Sequence, residues 1–254
     1  PDITTPVIIT LDTLGTTTQF ATHHNGTQHT VTENTGINPL HVTPYTNTTG
    51  EPVDKLAQLK PFFNAVLKTR NGASQTTNAI TPETWSVLSY AIETVYNEQG
   101  IDITNPATYD CPSPTIRDHL IPLLTKIGNK IHKTSTPHST DTDAEIAADI
   151  LTELTSLLRI NTTAPGRFNG HTELTHPTTS PPPVLQFDFT NTPQETNALL
   201  LYGVLMELYG YAAALEENVI IYIDEGRHFL QHPSIMNGLA ELFRNTHHHD
   251  ISMQ

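Results

Sequence analysis

The sequence lacks several features that whole classes of proteins need. Only one of its 254 residues is a cysteine, Cys111, which rules out internal disulfides and a cysteine-based zinc ribbon. Twelve Lys and Arg stand against 26 Asp and Glu, too few positive charges for a DNA-binding surface that works by itself. No apolar run approaches ~18 residues, so no segment is predicted to span a membrane.

The phosphate-binding loop of nucleotide hydrolases is also missing. No segment has the form G-x-x-x-x-G-K-[ST], whose backbone N–H groups hold the phosphates. Either the chain is not a nucleotide hydrolase, or this loop lies upstream of Pro1. The sequence starts without an initiator Met and stops within a predicted strand, so we expect both ends to be cuts inside a larger protein.

Strands are predicted near both ends of the chain. Short β-branched apolar runs at residues 7–11, 184–189 and 219–223 are typical of strands, and a further strand begins at Ile251. Residues 28–32 alternate as an edge strand does. The run at 219–223 is almost continuously apolar, which predicts burial on both faces, as in a parallel sheet covered by helices.

The middle of the chain is predicted to be helical, with Thr81-Pro82-Glu83 a strong helix start and Pro122 a kink. Further helices are expected at 195–217 and 234–244. Within the middle, apolar residues recur at helical spacing in four segments: 54–70, 81–99, 116–127 and 144–158.

The order of these elements predicts an α/β fold with a parallel sheet that is split by a helical insertion. Residues 1–50 would form the first part of the α/β core. Residues 51–160 would be the helical insertion, and residues 161–254 the second part of the core.

Two adjacent carboxylates, Asp224 and Glu225, follow the most apolar strand. Ligands of open α/β sheets bind at the carboxyl ends of the strands. In nucleotide hydrolases the first acid of such a pair holds Mg²⁺ through water, and the second polarises the attacking water. Because two acids beside a dry sheet are costly without a cation or a reaction that needs them, the pair favours Mg²⁺-dependent hydrolysis. The alternative is an ordinary strand end.

Three further sites are weaker candidates. Asp12 closes the first strand and lies either near the nucleotide edge or simply at a strand end. Asp224, Glu225 and His228 together would suit a metal-dependent hydrolase. The three histidines at 247–249 have the chemistry of metal ligands, but consecutive side chains point in different directions, which favours an exposed turn.

Several segments, taken in order, resemble the conjugation-type (type IV secretion) ATPases of the HerA–FtsK group, and most of all the transfer-complex proteins of halophilic archaea. Gly36-Ile37-Asn38-Pro39-Leu40 resembles the family's iNPL segment, and Ile223-Asp224-Glu225-Gly226-Arg227 its Walker B segment. The other similar segments are 7–12, 80–83, 113–115, 166–170, 185–188 and 244–252. Gly226 and Arg227 depart from the family, which often has Ala and then His or Trp there.

The resemblance implies a RecA-like α/β P-loop NTPase core with a parallel sheet, incomplete, and an all-helical insertion. It implies ATP and Mg²⁺ as cofactors, with Asp224 organising Mg²⁺ and Glu225 activating the water. Asp12 would lie at the nucleotide edge. Arg244 matches an Arg of the family. It would either reach a neighbouring subunit's phosphate or be a surface or salt-bridged residue.

The resemblance also implies an assembly. The protein would form a homo-oligomer, a hexameric ring, on the cytoplasmic face of the membrane. It would dock there with membrane secretion complex subunits and move DNA or protein cargo.

Two other functions stay open at this stage. A truncated paralogue that keeps the sheet but binds no ATP would be a non-catalytic assembly or scaffold module. A metal-dependent hydrolase is the third possibility. The presence of a phosphate loop would distinguish the ATPase from the non-catalytic module. Chelator-sensitive activity without ATP would indicate the metal-dependent hydrolase. If the full-length protein is an ATPase, we expect these 254 residues alone to be inactive. Because a missing central strand and its helix would expose apolar sheet, we also expect them to be poorly soluble in isolation.

Overall fold

A five-stranded parallel sheet lies at the centre of the computed structural model. The strands are β1 (Val7–Asp12), β2 (Thr27–Thr30), β3 (Val184–Asp188), β4 (Val219–Ile223) and β5 (Ile251–Met253). The structure describes residues 6–32, 35–42, 54–67, 80–129, 141–158, 168, 181–192, 194–215, 218–224, 233–246 and 251–253.

The strand order is β2-β3-β1-β4-β5, so the first strand of the chain is the central one. In the register, Ile9 pairs with Leu185 on one side and Ile221 on the other. The predicted strands and their parallel arrangement are confirmed, and β2 is an edge strand as expected.

Seven helices are described, and the predicted helical segments are confirmed to within a few residues. They are α1 (Thr18–His23), α2 (Lys55–Leu67), α3 (Pro82–Glu98), α4 (Ile121–Gly128), α5 (Asp141–Leu158), α6 (Gln194–Ala214) and α7 (Pro233–Thr246). No strand occurs among the described residues between 51 and 160. No helix in the described parts of the chain combines the length and apolarity needed to cross a membrane.

Local signals explain how α3 and α4 begin and end. The Thr81 side chain caps α3 by accepting a hydrogen bond from the Thr84 N–H, and Gly100 follows the helix with a φ of +79°. A π-helical turn (Ile116–Leu120) runs directly into α4, and the kink at Pro122 stays a prediction. Pro122 then lies in the first turn of α4, where its missing N–H costs little.

The hydrophobic core joins the sheet to the helices around α6. Side chains from both the strands and α2–α5 belong to one buried cluster. From Ala198 to Ala213, helix α6 is buried on nearly all sides, which is expected of a helix inside a core. Tyr202 of α6 donates to the Gln58 carbonyl at 3.0 Å. A Cβ at Gly238 of α7 would clash with Tyr202 and Pro61, so glycine permits this close packing.

One face of the sheet is only partly covered, which corrects the prediction that β4 is buried on both faces. Tyr222 is 39% exposed, and Ile220 and Ile223 are half-buried. Helix α1 packs against β2 and β3 on the other side of β1 from β4. The apolar run correctly predicted a strand, but it did not reveal that one face of β4 is open.

The iNPL segment joins the sheet unit to the helical insertion. The Asn38 side chain donates from Nδ2 to the Pro114 carbonyl at 2.9 Å and accepts from the Leu40 N–H at 3.1 Å. The hydroxyl of buried Tyr96 donates to the Leu40 carbonyl at 2.7 Å. Two segments that carry the family resemblance, 36–40 and 113–115, therefore contact each other directly, and the role of Asn38 here is structural.

The next two residues extend this contact. The Val42 N–H donates to Ser113 Oγ at 3.1 Å, and His41 Nδ1 lies 2.7 Å from a carboxylate oxygen of Glu207 in α6. Burial lowers the pKa of Lys55 to about 8, and the Glu207 carboxylate acts in the opposite direction. We call residues 38–42 the latch, since they bind both the insertion and α6.

Candidate functional site

Three aspartates meet at the carboxyl edge of the sheet. Asp12 ends β1, Asp188 ends β3, and Asp224 follows β4. In the register Asp12 pairs with Asp188, and Leu11 pairs with Ile223. Because parallel strands end at the same edge, the three side chains belong to the region where α/β sheets bind ligands.

The Asp12 carboxylate is enclosed by the loop that follows it. Its Oδ1 accepts the backbone N–H groups of Leu14, Gly15 and Thr16 at 3.0, 2.7 and 3.1 Å, and its Oδ2 accepts that of Thr17 at 2.7 Å. Gly15 has a φ of +76°, a conformation that favours glycine and lets the chain curl around the acid. We call residues 13–17 the Asp12 loop.

Two side chains, one from the loop and one from the sheet, complete the enclosure of the Asp12 carboxylate. Thr17 Oγ1 and Gln186 Nε2 donate to Asp12 Oδ2 at 2.8 and 3.0 Å, and Gln186 Nε2 also donates to Thr18 Oγ1 at 3.0 Å. Asp12 and Gln186 are both fully buried, and Gln186 Oε1 has no hydrogen-bond partner among the described residues. With three donors on each oxygen, Asp12 has no carboxylate oxygen left for a ligand.

The same donors set the charge of Asp12. Burial alone would raise its pKa, but the hydrogen bonds from Thr17, Leu14 and Thr16 outweigh burial and hold the pKa below its usual value of 3.8. Asp12 is therefore a buried anion at neutral pH. Its negative charge is balanced by donors of the chain itself.

Asp224 is attached to the same loop but remains accessible. Its N–H donates to the Leu11 carbonyl at 2.9 Å, and its carbonyl accepts a long bond from Thr13 Oγ1 at 3.5 Å. Its Oδ2 accepts from Thr16 Oγ1 at 2.8 Å. Thr16 is the one side chain in the described parts of the chain that hydrogen-bonds this half-buried carboxylate.

Thr16, Gln186 and Asp188 were not predicted as site residues from the sequence. Asp188 follows the same pattern as Asp12, an acid at the end of a β-branched or aromatic strand, and its Oδ1 accepts the Thr190 N–H at 2.8 Å. That pattern could have suggested Asp188. Thr16 is one of many threonines, and no sequence signal distinguishes it from the others.

Several predicted site residues lie outside the described residues. Glu225 and His228 are among them, as are the histidines at 247–249. Arg244 belongs to α7, but its side chain is outside the described set. The roles predicted for these residues therefore stay predictions.

The described residues at this edge do not by themselves form a complete metal site. No group of three or more His, Cys, Asp or Glu side chains among the described residues could hold an ion. Mg²⁺ usually binds through one or two carboxylates, waters and substrate phosphates. A half-buried Asp224 with one oxygen already hydrogen-bonded matches that requirement.

Comparisons with known proteins identify the fold. No family model matches the chain, and no curated protein matches it in sequence. The structure of VirB4 of Thermoanaerobacter pseudethanolicus superposes with a TM-score of 0.71 and 16% identity, covering 98% of this chain and 61% of that one. The chain has the RecA-like fold of VirB4. This confirms the predicted RecA-like α/β core with its parallel sheet and surrounding helices.

The conjugative coupling protein TrwB is a more distant structural neighbour. Its complex with a non-hydrolysable ATP analogue covers 97% of this chain and 62% of the TrwB chain, with a TM-score of 0.43 and 11% identity. An unbound form of TrwB gives a TM-score of 0.45 and 12% identity. The chain thus spans somewhat over 60% of the length of each of these neighbours.

Proposed function

We propose that the chain is the greater part of the ATP-hydrolysing motor domain of a conjugation-type or type IV secretion translocation system. The observation that carries the proposal is Asp224, an accessible carboxylate at the carboxyl edge of a sheet with the VirB4 fold. The phosphate loop that these 254 residues lack would be supplied by another part of the protein.

In this proposal each residue at the edge has a distinct task. Asp224 would bind Mg²⁺ through water, and Glu225 would accept a proton from the attacking water. Mg²⁺ supplies the positive charge that neutralises the developing charge on the phosphates. Arg244 would reach the phosphate of a neighbouring subunit, which requires an oligomer, and we propose a hexameric ring.

The cellular setting is part of the same proposal. The ring would lie on the cytoplasmic face of the membrane, docked to secretion complex subunits, and would move DNA or protein cargo. The net charge of −14 supports cargo contacts by a few loops rather than by a broad basic surface.

Glu225→Gln in the natural full-length protein tests the proposed mechanism. Loss of the general base should reduce ATP hydrolysis by about 10²-fold or more while leaving ATP binding intact. Glu98→Gln is a matched control, because Glu98 is exposed at the end of α3 and far from the site in sequence. Steady-state hydrolysis and binding of a fluorescent ATP analogue measure the two effects.

Three outcomes contradict the proposal in different ways. Unchanged hydrolysis in Glu225→Gln would remove Glu225 from the mechanism. Activity that needs a metal but no ATP would support a metal-dependent hydrolase using Asp224, Glu225 and His228. Absence of ATP binding by the unsubstituted full-length protein would favour the second candidate.

The second candidate is a non-catalytic assembly or scaffold module. The absence of any G-x-x-x-x-G-K-[ST] segment from these residues favours it. Such a protein would keep the sheet and the latch but would bind no nucleotide. Its association with other secretion subunits would then be unaffected by Glu225→Gln.

A further inference from the structure

The Asp12 loop joins two carboxylates that end neighbouring strands. The loop wraps the buried anion Asp12 through backbone N–H groups, and from the same turn Thr16 donates its hydroxyl to Asp224 Oδ2 at 2.8 Å. The Asp224 N–H is tied to Leu11, directly before Asp12. The Asp12 carboxylate thus sets the position of the Thr16 hydroxyl, and that hydroxyl donates to the Asp224 carboxylate.

We propose that Thr16 is a positioning residue for Asp224, held in place by the enclosed Asp12 carboxylate. This inference rests on the proposed function, in which Asp224 binds Mg²⁺. Asp12 touches no ligand in this arrangement. It acts only by folding the loop that carries Thr16.

The physical effect of the Thr16 hydrogen bond is to fix the rotation of the Asp224 carboxylate. A free carboxylate rotates about its terminal torsion, which is broad and nearly two-fold. A donor on Oδ2 selects one orientation and leaves Oδ1 to face a metal-bound water. Carboxylates that bind metals are generally held by such outer hydrogen bonds, and losing one typically costs ~10–100-fold in metal affinity or activity.

The exposure of this hydrogen bond makes the role testable. Thr16 is exposed and Asp224 is half-buried, so removing the bond should shift Tm by less than about 2 °C. Replacing a purely structural threonine would change stability and leave metal binding as it is. A positioning threonine changes metal binding alone.

The test compares Thr16→Val, which keeps the shape but loses the donor, with Thr16→Ser, which keeps the donor. Both are made in the natural full-length protein carrying Glu225→Gln, so that bound ATP is not consumed. Mn²⁺, used as a probe for Mg²⁺, should bind about 10-fold more weakly to Thr16→Val with ATP present and within about twofold of normal to Thr16→Ser. Thr94→Val is the control, since among the described residues the Thr94 hydroxyl hydrogen-bonds to the Tyr90 carbonyl of its own helix.

A second measurement separates this inference from the proposed function. Crystal structures of Thr16→Val and Thr16→Ser, determined without nucleotide, should show a rotated Asp224 carboxylate in the first and an unchanged one in the second. The same Asp224 orientation in both variants overturns the inference, as does normal Mn²⁺ affinity in Thr16→Val. Failure of the unsubstituted protein to bind ATP or Mn²⁺ counts against the proposed function, and the crystal structures still decide the role of Thr16.

Discussion

Asp12 and Asp224 lie at the ends of neighbouring strands of the same sheet, yet they differ in burial and in the number of hydrogen bonds that they accept. Asp12 is fully buried and accepts donors on both oxygens, all from the chain itself. Asp224 is half-buried, and among the described side chains only Thr16 donates to it. The difference shows that a carboxylate at the ligand edge of a sheet can belong either to the scaffold or to the site, according to how many donors the chain supplies.

The largest expected effect is on stability, when each acid is replaced by alanine. Asp12→Ala leaves donors such as the Thr17 N–H without their acceptor and should cost about 3 kcal/mol or more of unfolding free energy. Asp224→Ala, made at an accessible position, should cost less than about 1 kcal/mol. Urea unfolding of each variant, made in the natural full-length protein, measures both losses of unfolding free energy. Equal losses would show that the two acids do not differ in their contribution to stability.

An intermediate effect is expected from the pH dependence of stability at Asp12. Its folded-state pKa lies below the unfolded value, so its stabilising contribution is fully present above about pH 4 and is lost as pH falls through the folded pKa. Asp12→Asn should therefore be less stable than the unsubstituted protein at pH 7, and the gap should narrow below pH 4. A difference in stability between the two proteins that stays constant down to pH 3 would mean that ionised Asp12 stabilises the fold no more than protonated Asp12 does. Urea midpoints measured at each pH provide the comparison.

The smallest effect is expected from the substitution Gln186→Met. Gln186→Met removes one donor to Asp12 but also removes the buried, unpartnered Oε1, so the two changes should offset to within about 1 kcal/mol. Gln186→Glu is the contrasting variant, because it sets a second carboxylate beside the Asp12 anion and should destabilise the protein far more. Thermal unfolding of both variants measures the difference. Similar Tm values for the two would show that Asp12 is not charged in the folded protein.

The sequence predicted the elements of the fold better than the site. The β-branched runs at 7–11 and 219–223 are strong local signals, and they became adjacent parallel strands. The identity of Asp224 as an edge residue followed from its position after such a run. Those signals depend on residue type and spacing, which can be read directly from the chain.

What the sequence could not reveal depends on backbone donors and on distant partners. Backbone N–H groups carry no sequence signature, so the enclosure of Asp12 was invisible, although Gly15 is consistent with a tight turn. Gln186 lies far along the chain from Asp12 and meets it only through the strand register. The open face beside Tyr222 was missed for the same reason, since coverage depends on which helices pack there.

The position of β1 at the centre of the sheet has a consequence for synthesis. Both of its neighbours, β3 and β4, are encoded about 180 residues or more after β1. At ordinary translation speeds, roughly 10–40 s separate the emergence of β1 from that of β4. Until both neighbours have left the ribosome, the apolar run of β1 lacks its full set of partner strands, and the newly made chain depends on protection from aggregation.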